Sequence, residues 1–177
     1  MRAKSAWWTR ALLGGVAAVV GAVGLSSCEV ATRFRGPGFE RGRGVVLDDV
    51  GGTVVVVVTN ARLDRAKRGV FMDYSQRVVE DLPNHDGFIG HSLRRRLLGG
   101  EVWTVTVWRD DAAADEFVAA PQHKEAVRQG MSAIVQARFH RFSWPTDRVP
   151  PTWDVVKKEL DGAAFIDYAG GKRPGGP

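Results

Sequence analysis

Cysteine is almost absent from this chain. Cys28 is the single one in 177 residues, which excludes an intramolecular disulfide and a zinc site built from clustered cysteines. Acidic residues are absent from the first 27 positions, which carry Arg2, Lys4 and Arg10. Setting those three apart leaves 22 basic against 20 acidic residues, so a formal net charge of +5 shrinks to +2. With both signs mixed along the remainder, a nucleic-acid footprint is not supported. No GxSxG, HExxH, CxxC, P-loop or dinucleotide fingerprint occurs. No close grouping of Asp, Glu and His marks a catalytic metal. What is present suits one packed domain: 44% hydrophobic and 25% charged residues lie near globular averages.

The apolar run from Ala11 to Leu25 is shorter than the about 20 residues a membrane-spanning helix needs. A basic start, this short apolar stretch and the small residues Ser26-Ser27 have the order of a secretory signal. Leu25-Ser26-Ser27-Cys28 resembles the bacterial lipobox. That resemblance implies cleavage before Cys28, diacylation of its thiol and acylation of the new amino terminus. Several acyl chains give stable anchoring where one is marginal. The alternative is an ordinary signal peptide or an uncleaved anchor. The expectation is a signal peptide over 1–27 and an envelope location facing away from the cytoplasm. Glu29 stands where an Asp-type inner-membrane retention signal would begin, so the outer membrane is expected if the source has one.

Residues 28–52, rich in Arg and Gly around Pro37, show no helical or alternating period and are expected to form a flexible tether. From Gly51-Gly52 onward the periods become regular. The Val-rich run Thr53–Thr59 predicts a strand buried on both faces. Val70/Phe71, Tyr74, Val78 and Leu82 recur at helical spacing up to Pro83. The next strand alternates Ile89, His91, Leu93, Arg95 and Leu97 against Phe88, Gly90, Ser92, Arg94 and Arg96. Gly99-Gly100 turns it back into Trp103, Val105 and Val107 alternating with Val102, Thr104, Thr106 and Trp108. A helix capped by Asp110 or Asp111 carries Ala114, Phe117 and Val118, breaks at Pro121 and resumes. Ile134–Trp144 is the last long strand, and Thr152 caps a short helix, WDVVKKEL.

The order β-α-β-β-α-β is the split βαβ, or ferredoxin-like, α+β arrangement: a four-stranded antiparallel sheet with two helices on one face. The domain is expected to span 53–160, followed by a disordered tail over 161–177. Both sheet faces carry apolar side chains while two helices cover one, so a second copy packed sheet to sheet is the economical cover. A homodimer is therefore expected.

WTVTVWRDDAAADEFVAAPQHKEAV and RFSWPTDRVPPTWDVVKKEL, within that element order, resemble the dimeric α+β barrel superfamily, in particular antibiotic-biosynthesis-monooxygenase-like domains. That resemblance implies a fold shared by cofactor-free quinone-forming oxygenases, haem-degrading enzymes and domains without assigned activity, so it does not fix a function. Haem-degrading members use an Asn at the end of the first strand and a Trp and a His ten residues apart on the second helix. Asn60 matches the first position, but Phe117 and Val127 stand at the other two. His123 lies one helical turn before Val127.

His91 is the candidate base, since imidazole titrates nearest neutrality; the alternative is a buried His bonded to backbone. Asn60 is a candidate orienting group or a turn cap. His123 is a weaker candidate, or packs the helix restart. Trp103, Trp108 and Phe117 are candidate walls of a pocket for a planar aromatic ligand, or plain core. No metal and no cofactor are expected. The preferred reading is an envelope lipoprotein whose domain binds a small ligand or partner. The alternative is a cofactor-independent monooxygenase acting on an aromatic or quinol-type substrate.

Overall fold

The computed structural model describes residues 28–168; the expected signal segment, 1–27, and residues 169–177 lie outside them. The described residues open with β1 (Glu29–Ala31) and a small hairpin of β2 (Phe39–Glu40) and β3 (Gly44–Val45). The long strand β4 (Thr53–Leu63) follows, then helix α1 (Arg68–Asp81), β5 (Phe88–Arg96) and β6 (Glu101–Trp108). Helices α2 (Asp111–Ala119) and α3 (Pro121–Gly130), strand β7 (Ile134–Pro145), helix α4 (Trp153–Asp161) and strand β8 (Ile166–Asp167) complete it.

The sheet runs β1-β5-β6-β4-β7-β8 with every neighbour antiparallel. Its inner four strands, β5-β6-β4-β7, have the ferredoxin-like order. β4 lies at the centre because its β-branched run can pack on both faces: Val54, Val56 and Val58 line one side, Val55 and Val57 the other. α2 begins where the Asp110 carboxylate accepts the Ala113 N–H at 2.8 Å. It ends at Ala120, which is extended because a residue preceding proline is pushed out of helical geometry, and Pro121 opens α3. Gly99 and Gly100 both have positive φ in the β5–β6 turn, where a side chain would be strained.

α1, α2 and α3 lie over one sheet face. The other is covered by the chain itself. Val54, Val56, Val58, Ile89, Trp103, Val105 and Val107 form a core with Val156 and Leu160 of α4, and Phe34, Phe39, Val45 and Leu47 pack against it. The sheet-to-sheet partner expected from the sequence is therefore not what covers this face. The supposed tether does much of that work. Thr32, Arg35 and Gly38 donate backbone N–H groups to Leu93, His91 and Ile89 at 2.8–3.1 Å, extending the edge beside β5. Two glycines permit this approach: a Cβ on Gly36 would collide with the Gly90 and Ile89 backbone, and one on Gly90 with the Phe34 ring.

Glu29 locks the start of that segment. Its side chain is 8% exposed and meets Lys157 at 2.6 Å, Arg94 at 2.7 Å and Arg96 at 3.3 Å. Burial alone would raise this carboxyl, but the bond from Lys157 and the charges of Lys157 and Arg94 outweigh it and hold the pKa below the ordinary range. The expected disordered tail is likewise ordered in part. Ile166 and Asp167 pair with Ala137 and Gln136, and Phe165 lies 4.6 Å from the Arg138 guanidinium carbon. Among the described residues no helix is long and apolar enough to cross a membrane.

Candidate functional site

α1 is amphipathic, yet none of its residues is fully buried. The reason is that its inward side chains face a hollow. A cavity of about 420 Å³ separates the sheet from the helices, within the size range of small-molecule sites. Its floor is the helix-side face of the sheet: Val57, Thr59 and Ala61 of β4, His91 and Leu93 of β5, Thr104, Thr106 and Trp108 of β6. Phe71, Tyr74 and Val78 of α1 form one wall, and Phe117, His123 and Val127 of α2 and α3 another. A benzene-sized ligand occupies a void of roughly 150 Å³, so on that scale the space suits about two to three aromatic rings.

His91 is the buried polar group of this floor, 5% exposed. Its ring stacks on Phe88 at 6.1 Å, and its Nδ1 is buried without a hydrogen-bond partner. Both backbone groups are held by Arg35, through N–H to O contacts of 2.8 and 3.1 Å, so the strand position is fixed while the imidazole is uncommitted. Burial, and secondarily the charge of Arg35, push its pKa below the ordinary 6.5. His91 is accordingly neutral and able to accept a proton.

His123 lies on the wall, its ring 4.6 Å from Phe117 and its Nδ1 3.2 Å from the Val118 carbonyl. Burial lowers its pKa, the Val118 contact opposes this, and nearby His85 lowers it further. The Phe117 and Trp108 rings lie 5.0 Å apart, tilted by 30°, and the Trp108 indole N–H donates to the Thr106 hydroxyl at 2.9 Å. Burial raises the Tyr168 phenol, keeping a hydroxyl donor at the rim.

Four of the residues singled out from the sequence are thus brought together: His91, His123, Trp108 and Phe117. Two are not. Asn60 sits on the opposite sheet face, where its amide N–H donates to Glu101 at 3.3 Å and to the Val102 carbonyl at 3.1 Å, and its oxygen accepts from Arg138 at 3.1 Å. It ties β4, β6 and β7 together and cannot orient a molecule in the cavity. Trp103 pairs with Asn60 in register and packs in the covered core, with the Lys157 ammonium 5.0 Å from its ring. Cys28 is exposed at the first described position. The bulge between Phe88 and Gly90 also moves Phe88 to the His91 side and Ile89 to the covered side, against the plain alternation expected of β5.

The sequence reading missed the pair Asp81–His85, 2.9 Å apart at the end of α1. The His85 ring stands edge-on to Phe117 at 5.1 Å, and the bond from His85, with one from Asn84, lowers the Asp81 pKa. Its i,i+4 spacing was the available signal.

Haem of the degrading branch does not fit these residues. Val127 offers no ligating atom at the required wall position, and Asn60 faces away. Among the described residues no cluster of three His, Cys, Asp or Glu is arranged to hold a metal.

The fold is a ferredoxin-like α+β domain with a cavity between its sheet and helices. Residues 54–129 match the family model described as antibiotic biosynthesis monooxygenase, a stretch of less than half the chain that leaves β1–β3, β7, α4 and β8 outside. Among solved structures, Rv0793 from Mycobacterium tuberculosis is similar at 18% identity and a TM-score of 0.50, covering 54% of this chain and 98% of that one. Protein SO0527 from Shewanella oneidensis is similar at 17% identity and a TM-score of 0.49, covering 54% and 95%. SnoaB, a cofactor-independent oxygenase from Streptomyces nogalater, gives 17% identity and a TM-score of 0.45, covering 58% and 100%. No curated protein matches the chain.

Proposed function

We propose that the cavity binds a planar phenol- or quinol-type molecule and that His91 is the base that starts its oxygenation without a bound cofactor. The carrying observation is that His91, a buried imidazole with no side-chain hydrogen bond among the described residues, lines a largely apolar, aromatic-walled cavity. His91 takes the phenolic proton, and the resulting electron-rich ring adds dioxygen at carbon. Loss of one water then leaves a quinone, so phenol plus O₂ balances quinone plus H₂O. Trp108 and Phe117 would hold the ring plane, and the apolar walls would keep bulk water from the reactive anion. The family match over 54–129 supports this reading.

A binding module without turnover is the second reading. Its support is that no Lys or Arg lines the cavity to stabilise an oxygen-derived anion. Oxygen uptake with a panel of quinols separates the two. Uptake with quinone formation that falls at least a hundredfold in His91→Ala is expected for a general base. Uptake that survives the change removes His91 from that role, and saturable binding with no uptake selects the binding module.

In the same reading Cys28 carries the lipid and the protein faces away from the cytoplasm, at the outer membrane where one exists. Intact mass of the envelope-purified chain tests acylation: a diacyl or triacyl increment on a chain beginning at Cys28 is expected, and an unmodified thiol contradicts it. A homodimer would have to use a surface other than the covered sheet face, because α4 and residues 29–50 occupy that face. Native mass spectrometry reports the stoichiometry.

A further inference from the structure

The end of the domain beside Cys28 is apolar and basic together. Val30, Met72, Leu97 and Leu98 are 50, 41, 44 and 55% exposed, and contiguous exposed apolar surface marks an interaction site. They share one place. Val30 pairs with Arg95, the Leu97 N–H donates to the Cys28 carbonyl at 3.0 Å, and Leu97 and Met72 line one shallow pocket with Arg68, Arg95 and Arg96. Arg96 is committed to Glu29 and Glu101. Arg68 and Arg95 make no ion pair among the described residues. Asp64, the acid at the neighbouring helix entry, is taken up by the Ala66 N–H at 2.9 Å.

From this arrangement the geometry points to a membrane-docking surface: Leu97, Leu98, Val30 and Met72 seat on an anionic bilayer, with Arg68 and Arg95 at the headgroup phosphates. The occupant is a lipid surface because Cys28, which the lipoprotein reading acylates, accepts the Leu97 N–H at this patch, and because the uncommitted charges there are cationic. The inference rests on the lipoprotein reading of Cys28 and sharpens it. Glu29 is clamped to Lys157 and Arg94, and one residue spans at most about 3.6 Å, so acyl chains on Cys28 enter the bilayer within this footprint. The domain sits directly on the membrane, with no tether between them.

The full chain is reconstituted in phosphatidylcholine vesicles, with and without phosphatidylglycerol, carrying brominated acyl chains as quencher. An environment-sensitive fluorophore is placed on Leu98→Cys or, at the exposed β2–β3 turn, on Arg41→Cys. Intact mass reports acylation of Cys28 in each sample, and a second pair built on Cys28→Ser keeps that thiol out of the labelling. Expected is several-fold stronger quenching at 98 than at 41, enhanced by phosphatidylglycerol. A basic residue near an anionic surface is worth about a five-fold change in partition, so Arg68→Gln and Arg95→Gln should each reduce the docked-to-undocked ratio about five-fold. Equal quenching at both positions with Cys28 acylated overturns the docking surface and leaves the lipoprotein reading standing. Quenching confined to 98 with an unmodified Cys28 supports the surface and overturns the lipid anchor.

Discussion

Glu29→Gln separates a clamped segment from a tether. In the folded protein the carboxylate is 8% exposed and touches three cations whose side chains are 23–36% exposed. Glutamine keeps the shape and loses the charge, so Arg94 and Lys157 lose their counter-ion while Arg96 keeps only Glu101. Removing one partner of a fully buried pair costs about 3–5 kcal/mol, and the partial hydration left to these cations reduces that to about 2–3 kcal/mol. For a domain of this size the loss lowers the melting temperature by roughly 5–10 °C. Urea unfolding followed by tryptophan fluorescence should show a lower midpoint with an unchanged m-value. The pH dependence has a fixed sign. The folded pKa of Glu29 lies below its ordinary 4.5, so its contribution is fully present above 4.5 and is lost as pH falls through the folded value. The gap between wild type and variant should hold from neutral pH to about 4.5 and close below it. A change within about 0.5 kcal/mol at neutral pH, as expected of a surface position, would refute the clamp.

Three further outcomes follow from the geometry. The kcat/KM for a quinol should be flat above, and fall with acid through, a pKa below the ordinary 6.5 of histidine, because burial keeps His91 neutral; an acid limb above 6.5 would contradict it. Asn60→Leu should cost about 1–3 kcal/mol by leaving the Arg138 Nε–H without its acceptor while the guanidinium keeps the Leu160 carbonyl, yet leave the affinity for an aromatic ligand unchanged, since Asn60 lies on the far sheet face. Gly36→Ala should destabilise by about 1–3 kcal/mol, because its Cβ meets the Gly90 and Ile89 backbone; a neutral effect in urea unfolding would mean the segment is loosely held.

The central sheet was legible because β4, β6 and β7 write their period directly into the sequence, and the helices carry caps and breaks at Asp110 and Pro121. His91, Trp108 and Phe117 were legible as a group for the same reason. Faces were harder. Both sides of this sheet are apolar, so alternation sorted Asn60 and Trp103 from Thr59 and Thr104 without saying which side held the hollow. The bulge at Phe88–Gly90 has no signature beyond a glycine in a strand. Residues 28–52 were misjudged on composition: their order comes from backbone pairing with β5 and an ion cluster reaching Lys157, 128 positions away, neither of which leaves a local period.

The most direct test of the cavity as an aromatic-ligand site is a tryptophan-fluorescence titration of the full chain with a two-ring quinol, in wild type and in Ala126→Trp, which would fill the space. Saturable quenching at one ligand per chain in wild type, abolished in Ala126→Trp and retained in Leu98→Ser, is the predicted result. The absence of saturation in wild type, or equal saturation in the filled variant, would contradict it.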